Sequence, residues 1–326
     1  MDSTAGNPES KMYAYEAGRK AIEAQLERKK IPGRVEMMEL WGLYHVRYGT
    51  PGDPLVSVII PNMDHHKDLE RCVASLYEKN RYRNIEVLII ENNSRDKETF
   101  PAYRRLKERY PGIRILRWEK PFNYSAINNY GAAAAKGDYL LLLNNDTQVI
   151  EPDSIGEMLG ICMRKDVGCV GAKLLYEDDT VQHAGIILGP GGFAGHVFHG
   201  LKKEDVGFKM RARITGNWSA VTAACLMIRK EVFMSVGGLG EEYAVALNDV
   251  DLCLKVRREG YVNVMTPFAL WHHYESRSRG YEDTPEKKER FDAEVALFRS
   301  RWGDDVDRGD PYYNPNFAKD KEPFSL

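Results

Sequence analysis

Residues 137–146 read Gly-Asp-Tyr-Leu-Leu-Leu-Leu-Asn-Asn-Asp. Gly137 and Asp138 interrupt the alanine-rich segment before them, and residues 139–143 then form an unbroken apolar run. A strand that is apolar on both faces is typical of the centre of a parallel sheet covered by helices. The stretch therefore predicts a buried central strand that ends in a polar cluster.

The segments before this strand alternate between strand and helix patterns. Short apolar runs predict three more strands, at residues 56–60, 85–90 and 113–118. Apolar spacing or alanine content predicts helices between them, at residues 69–77, 103–109 and 126–135. The alternation predicts an α/β fold with a mostly parallel, Rossmann-like sheet flanked by helices.

Proline and glycine divide the chain into three predicted parts. Residues 1–53 read as a helical appendage, with one polar helix and a second short helix over residues 35–43. Two prolines around Gly52-Asp53 cannot continue regular structure, so the main domain is predicted over residues 54–280. Residues 281–326 are predicted as a tail whose amphipathic helix packs on that domain.

Composition excludes several classes of protein. The chain has 326 residues, with 46 Lys and Arg against 48 Asp and Glu, so no net field attracts nucleic acid. No apolar stretch approaches the roughly 18 residues of a membrane span, and no signal core is visible. Five cysteines without a CxxC pair favour reduced core residues. The sequence therefore predicts a cytoplasmic protein that does not bind nucleic acid.

Polar clusters follow three of the predicted strands. They are Pro61-Asn62, Glu91-Asn92-Asn93-Ser94 and Asn144-Asn145-Asp146. Ligands of open α/β sheets bind beyond the carboxyl ends of the strands, so these clusters are expected to line one crevice. A single carboxylate such as Asp146 suffices for Mg²⁺ or Mn²⁺ when a phosphate supplies further oxygens. Ordinary Asx turns remain the alternative.

Together these motifs resemble the family 2 glycosyltransferases of GT-A fold. The likeness continues through Ala223-Ala224-Cys225-Leu226-Met227-Ile228, Gly237-Gly238-Leu239, and Asn248-Asp249-Val250-Asp251. His273 followed by residues 275–280 resembles the close of the domain in bacterial polysaccharide and rhamnosyl transferases. The resemblance covers residues 56–280, and several ordered motifs are far more specific than any one of them.

The resemblance implies a UDP- or dTDP-linked sugar donor, a divalent Mn²⁺ or Mg²⁺ ion, and an assignment for each matching residue. Asp249 matches the general base of an inverting transfer, and Asp146 and His273 match the metal site. Donor contacts are implied at Pro61, Asn62, Glu91, Asn92, Asn123, Asn128, Asn145 and Arg279. Trp218 and Asp251 are expected on the acceptor side. Asn-Asn-Asp departs from the family's DxD motif and leaves a single carboxylate for the metal.

The expected activity is inverting transfer of a hexose to a growing cell-surface polysaccharide or lipid-linked glycan. A lipid-linked acceptor would bring the chain to the inner face of the membrane without a span. The alternative is a catalytically silent nucleotide-sugar or glycan-binding module of a larger multidomain transferase. At residue level, Asp249 also fits a helix-capping acid, and His273 and Trp218 also fit structural roles.

Overall fold

The computed structural model describes residues 12–40, 42–274, 284–318 and 324–325. The chain divides into two compact units, Met1–Asp53 and Pro54–Leu326. The boundary falls inside the stretch Pro-Gly-Asp-Pro, where two prolines flank a glycine of positive φ.

The first unit consists of α1 (Met12–Arg28), β1 (Gly33–Met37) and β2 (Tyr44–Tyr48). The two strands form an antiparallel hairpin, so the predicted helix over residues 35–43 is wrong. Val35 is the buried residue of β1 and pairs with Val46, while Gly42 takes a φ of +80° in the turn. A window of nine residues is too short for its apolar spacing to distinguish a helix from a strand.

The second unit alternates strands and helices. Its helices are α2 (His66–Glu78), α3 (Thr99–Arg109), α4 (Tyr124–Ala134), α5 (Ser154–Cys162), α6 (Lys230–Ser235), α7 (Asn248–Arg258) and α8 (Pro285–Arg308). Its strands are β3 (Val56–Asn62), β4 (Ile85–Glu91), β5 (Ile113–Arg117), β6 (Tyr139–Leu143), β7 (Thr147–Val149), β8 (Val167–Leu175), β9 (Val181–His183), β10 (Ile186–Leu188), β11 (Ala194–His196), β12 (Gly216–Trp218), β13 (Cys225–Arg229) and β14 (Val262–His273).

The main sheet has the strand order β12-β14-β8-β13-β6-β3-β4-β5. Strands β6, β3, β4 and β5 are parallel neighbours, and so are β8 and β14. Strand β13 runs antiparallel between β6 and β8. The predicted α/β architecture, a central sheet flanked by helices, is confirmed, and the sheet is mixed because β12 and β13 pair antiparallel with their neighbours. The direction of β13 was not predicted, because an apolar run does not reveal which way a strand points.

Hydrophobic side chains fill both faces of this sheet. Leu140, Leu141, Leu142 and Leu143 of β6 are fully buried, as expected for a central strand. Three residues of α8, namely Phe298, Trp302 and Val306, belong to the main core cluster. This helix therefore packs against the hydrophobic core of the second unit. All five cysteines are buried and free.

The helices of the described residues include none that combines the length and the apolar character needed to cross a membrane.

Candidate active site

A cavity of about 870 Å³ lies beyond the carboxyl ends of the parallel strands. Strands β3 and β6 end there, and the start of the antiparallel β13 reaches the same edge. Its lining comprises Pro61, Asn62, Met63, Asn92, Phe122, Tyr124, Ile127, Asn144, Asn145, Asp146, Tyr176, Gln182, Ile186, Phe193, Ala194, Gly195, His196, His199, Thr222, Ala223, Ala224, Val245, Ala246, Leu247, Asn248, Asp249, Val250 and His273. The polar clusters that follow β3, β4 and β6 thus contribute to one site.

Asn62 organises the floor of the cavity at the end of β3. Its Oδ1 accepts a hydrogen bond of 2.7 Å from Asn145 Nδ2, and its Nδ2 donates to Asp64 O and to Tyr103 Oη. The chain then turns sharply, because Asp64 and His65 both have positive φ. These bonds join the ends of β3 and β6, so Pro61, Asn62 and Asn145 are held together at the cavity.

Glu91 and Asn92 have different roles although they are adjacent. Glu91 does not line the cavity: its carboxylate accepts hydrogen bonds from Ser94 N, Ser94 Oγ and Tyr103 Oη. Burial and this carboxylate raise the pKa of Tyr103 above its ordinary value. Asn92 lines the cavity and donates to two backbone carbonyls beyond β5, those of Trp118 and Lys120. Glu91 therefore shapes the loop, and Asn92 is the member of the pair that a ligand would meet.

Asp146 and His273 face each other across the cavity wall. Strand β7 pairs with the end of β14 so that Thr147, next to Asp146, lies opposite His273. Tyr274 N donates to Asp146 O at 2.9 Å, which fixes the same junction. As a result Asp146 Oδ1 lies 3.2 Å from His273 Nε2, with both side chains buried.

The hydrogen bonds around His273 fix the orientation of its ring beside this carboxylate. Its Nδ1 donates to Gln182 Oε1 at 2.7 Å, and Asn144 Nδ2 donates to its Nε2 at 3.1 Å. Asp146 Oδ1 is buried and accepts no hydrogen bond from the described residues. A carboxylate oxygen and an imidazole nitrogen are both common ligands of divalent cations. These two groups therefore fit a divalent metal ion.

The carboxyl group of Asp146 favours its ionised form although the side chain is buried. Burial alone would raise the pKa of its carboxyl group, but the interaction with the His273 imidazole, a backbone hydrogen bond and the charge of Arg71 together lower the pKa below its ordinary value. In the described residues no group of three or more His, Cys, Asp or Glu side chains is arranged to hold a metal. Mg²⁺ and Mn²⁺ tolerate such an open site, because water and the oxygens of a bound diphosphate complete the shell.

Asp249 lies in the first turn of α7 and lines the same cavity. Its Oδ2 accepts from Ala223 N at 3.1 Å, and its Oδ1 accepts from Val250 N at 2.8 Å. The residue before the helix is Leu247, which takes a left-handed conformation, so Asp249 is a first-turn acid and not the N-cap. An ionised carboxylate has about four acceptor positions, so Asp249 retains capacity for a further proton or hydroxyl.

The polar residues at the start of α4 contact backbone rather than the cavity. Asn123 Oδ1 caps the helix by accepting from Ala126 N, and its Nδ2 donates to Glu241 O at 2.7 Å. Ser125 Oγ donates to Tyr243 O at 2.6 Å. Asn128 is fully buried and donates to Tyr124 O. Asn123 and Asn128 are therefore placed outside the cavity lining. Asn123 contacts the loop before α7, whereas Asn128 bonds within α4.

The structure corrects the positions expected for Trp218 and Asp251, because neither residue lines the cavity. Trp218 is 1% exposed, and the Arg211 guanidinium lies 3.8 Å above its ring, so no sugar stacks there. Asp251 is fully buried; it accepts from Trp302 Nε1 and pairs with Arg301, both at 2.9 Å. Aromatic and acidic residues serve cores as well as sites, and only the tertiary packing distinguishes the two. Arg279 lies outside the described residues.

Sequence reasoning missed several residues of the cavity wall. Tyr124 Oη donates to Ala223 O, which ties α4 to the start of β13. On the opposite side, His196 and His199 line the cavity, with His183 Nδ1 3.1 Å from His196 Nδ1. The histidine- and glycine-rich composition around residues 181–207 was the available signal, but it does not specify which histidine faces the cavity.

Comparisons with known proteins show the family and the fold of the chain. The model of the family described as Glycosyl transferase family 2 matches residues 57–237. An uncharacterized protein, y4gI, of Sinorhizobium fredii is 44% identical, with 99% of this chain and 36% of that protein aligned. The O-antigen biosynthesis protein RfbC of Myxococcus xanthus is 40% identical over 84% of this chain and 21% of its own length. The chain thus spans about a third and a fifth of these two relatives.

A shorter relative and two solved structures complete the comparison. The N-acetylglucosaminyl-diphospho-decaprenol L-rhamnosyltransferase of Mycobacterium tuberculosis is 27% identical over 70% of this chain and 77% of its own. A mannosyltransferase of Pyrobaculum calidifontis, solved with GDP-Man and Mn²⁺, superposes with a TM-score of 0.56 at 15% identity, covering 89% of this chain and 75% of that one. GalNAc-T7, solved with UDP, GalNAc and Mn²⁺, gives 0.61 at 14%, covering 81% and 51%. These structures show that the fold is GT-A, and the family model covers more than half of the chain, which therefore belongs to glycosyl transferase family 2.

Proposed function

We propose that the chain transfers a hexose, with inversion, from a UDP- or dTDP-linked donor to a growing cell-surface polysaccharide or lipid-linked glycan. The names of the Myxococcus and Mycobacterium relatives support this class of acceptor. The observation that carries the proposal is one cavity that contains both the Asp146–His273 pair and the Asp249 carboxylate. A lipid-linked acceptor would place the reaction at the inner face of the membrane, where the chain associates peripherally.

Asp146 and His273 would hold Mn²⁺ or Mg²⁺, and Pro61, Asn62, Asn92 and Asn145 would contact the nucleotide. The bound ion would neutralise the charge that develops on the departing diphosphate. Asp249 accepts the proton of the acceptor hydroxyl as that oxygen bonds to the anomeric carbon. The bond from the anomeric carbon to the diphosphate breaks on the opposite face, which inverts the configuration and releases the nucleoside diphosphate.

A second candidate is a donor- or glycan-binding module without turnover. It is supported by the length of two relatives, of which this chain spans 36% and 21%. Under either function we propose the same organisation: an appendage at residues 1–53, a transferase domain at 54–280 and a tail at 281–326 that completes it. Other transferase domains are the proposed partners in longer relatives.

Asp249→Asn separates the two candidates. Asparagine keeps the shape and an acceptor oxygen for Ala223 N, but it cannot take up a proton at neutral pH. We expect donor turnover, measured as release of nucleoside diphosphate from UDP-, dTDP- and GDP-sugars with Mn²⁺, to fall by about 10²- to 10⁴-fold. The affinity for the nucleotide, measured by calorimetry, should stay within about twofold of the parent.

Glu259→Gln is the matched control, because this acid lies at the other end of α7, away from the cavity. Its turnover should equal that of the parent. Unchanged turnover in the Asp249→Asn protein would remove Asp249 as the base. Nucleotide binding without any turnover in the parent would favour the binding module.

A further inference from the structure

The loop that precedes α7, residues 241–247, is held from two sides. On one side, α4 binds its backbone through Asn123 Nδ2, Tyr124 N and Ser125 Oγ. On the other side lies α8, beyond the region matched by the family model. Residues 245–247 line the cavity directly before Asn248 and Asp249. The position of this 241–247 loop therefore sets where α7 begins.

Glu294 is the residue of α8 that binds the backbone of the 241–247 loop. It is 4% exposed, and its two oxygens accept from two successive backbone amides, Val245 N at 2.9 Å and Ala246 N at 3.0 Å. A buried carboxylate that accepts from backbone N–H groups forms strong, directional bonds. Leu247 follows at once with a φ of +61°, a conformation that costs energy in a non-glycine residue and persists only when its surroundings enforce it.

A second contact, about two turns further along α8, joins this helix to α7. Asp251 accepts from Trp302 Nε1 at 2.9 Å and pairs with Arg301, while Arg301 also pairs with Glu242 of the loop. Helix α8 thus contacts both the 241–247 loop and the first turn of α7. Rotation of this turn would displace the Asp249 carboxylate relative to the cavity.

We infer that Glu294 is a positioning residue for the transfer: through Val245 and Ala246 it fixes the 241–247 loop and hence the orientation of Asp249. The inference rests on the proposed function for its catalytic consequence, but its structural part stands apart from it. Groups that orient a reacting residue contribute strongly although they touch no substrate, because displacements near 1 Å cost about 10²-fold in rate.

The test compares Glu294→Gln and Glu294→Ala with the parent. Loss of the two charge-assisted bonds should speed hydrogen–deuterium exchange in a peptide covering residues 243–249 by about 10- to 100-fold in the Ala variant. The kcat for release of nucleoside diphosphate should fall by about 10- to 100-fold, with Gln intermediate since it keeps one acceptor oxygen. The Kd for UDP with Mn²⁺ should stay within about twofold, because Asp146 and His273 are not touched.

Two controls separate positioning from general destabilisation. Asp307→Asn removes an exposed acid of the same helix that pairs with Arg299, and it should change neither exchange nor kcat. Phe298→Leu loosens the core contact of α8 and lowers the melting temperature without removing the loop contact.

Three results would overturn the inference. One is unchanged exchange at residues 243–249 in Glu294→Ala, which refutes the positioning whether or not the chain has turnover. Another is faster exchange with an unchanged kcat. The third is an equal loss of kcat in Phe298→Leu at the same loss of melting temperature. An inactive parent would refute the proposed function instead, and exchange would still decide the structural claim.

Discussion

Neighbouring histidines at the end of β14 show how strand alternation separates roles at the scale of a residue. Successive side chains of a strand point to opposite faces. His273 therefore faces Asp146 inside the cavity, whereas His272 pairs with the exposed Asp179 at 2.9 Å. The two imidazole groups therefore lie in different environments, since His273 lines the cavity and His272 does not.

This difference gives a test of the metal site. His273→Ala should weaken the binding of UDP in the presence of Mn²⁺ by at least about tenfold, because one of the two proposed protein ligands is lost. Binding without Mn²⁺ should change little. Calorimetry with and without the ion measures both. His272→Ala is the control and should match the parent, and equal Mn²⁺-dependent affinity in the His273→Ala protein would contradict a ligand role.

The polar residues that the sequence located are those that follow strands. Asp146, Asn62 and Asn145 come directly after apolar runs, so topology alone brings them to one edge. Asp251 was assigned to the acceptor side because its residue type suits a site. Its actual environment comes from α8, about fifty residues away in sequence, and no local pattern contains that information.

At the scale of an element, β8 contains a buried cation. Lys173 is 2% exposed, and its Nζ donates to Lys203 O at 3.0 Å and to Ala212 O at 3.2 Å. Burial lowers the pKa of this ammonium group to about 8. The side chain ties the central sheet to residues 203–212, but its charge opposes folding.

The sign of the pH dependence follows from this shift. The pKa of Lys173 is lower in the folded chain than the 10.5 of a free lysine, so the folded state disfavours the charged form. The penalty is complete below about pH 8 and disappears as the pH rises towards 10.5. Relative to Lys173→Met, the parent should gain up to about 3 kcal/mol of unfolding free energy between pH 7 and pH 10.

Urea unfolding of both proteins across this range measures the difference. The methionine variant also loses two hydrogen bonds, but that loss is independent of pH and cancels in the slope. A difference between the two proteins that is flat with pH would contradict a buried, shifted ammonium group.

At the scale of the whole molecule, the second unit has a core of its own. Every residue of the main hydrophobic cluster lies between Ile59 and Phe324, and so does every residue that lines the cavity. A chain that begins at Pro54 should therefore fold and keep Mn²⁺-dependent UDP binding within about twofold of the full chain. Calorimetry and thermal unfolding measure this. Loss of folding or a tenfold weaker affinity would show that residues 1–53 belong to the binding unit.

The sequence was sufficient for the order of strands and helices from residue 56 to residue 143, because long apolar runs and helical spacing are local signals. It was insufficient for the hairpin of residues 33–48, whose short segments carry no clear period. It also did not reveal that β13 enters the sheet in reverse. That placement depends on which edge remains open after β6 has formed, which is a property of the assembled sheet.

The reversed β13 has a consequence for synthesis on the ribosome. Strand β6 pairs with β3 on one side, and its other edge waits for β13, which begins about eighty residues later. At roughly 5–20 residues per second, that edge of a leucine-rich strand stays open for about 4–16 s in every nascent chain. An open apolar edge invites pairing with other chains, so we expect the nascent chain to be prone to mispairing while residues 144–225 are being synthesised.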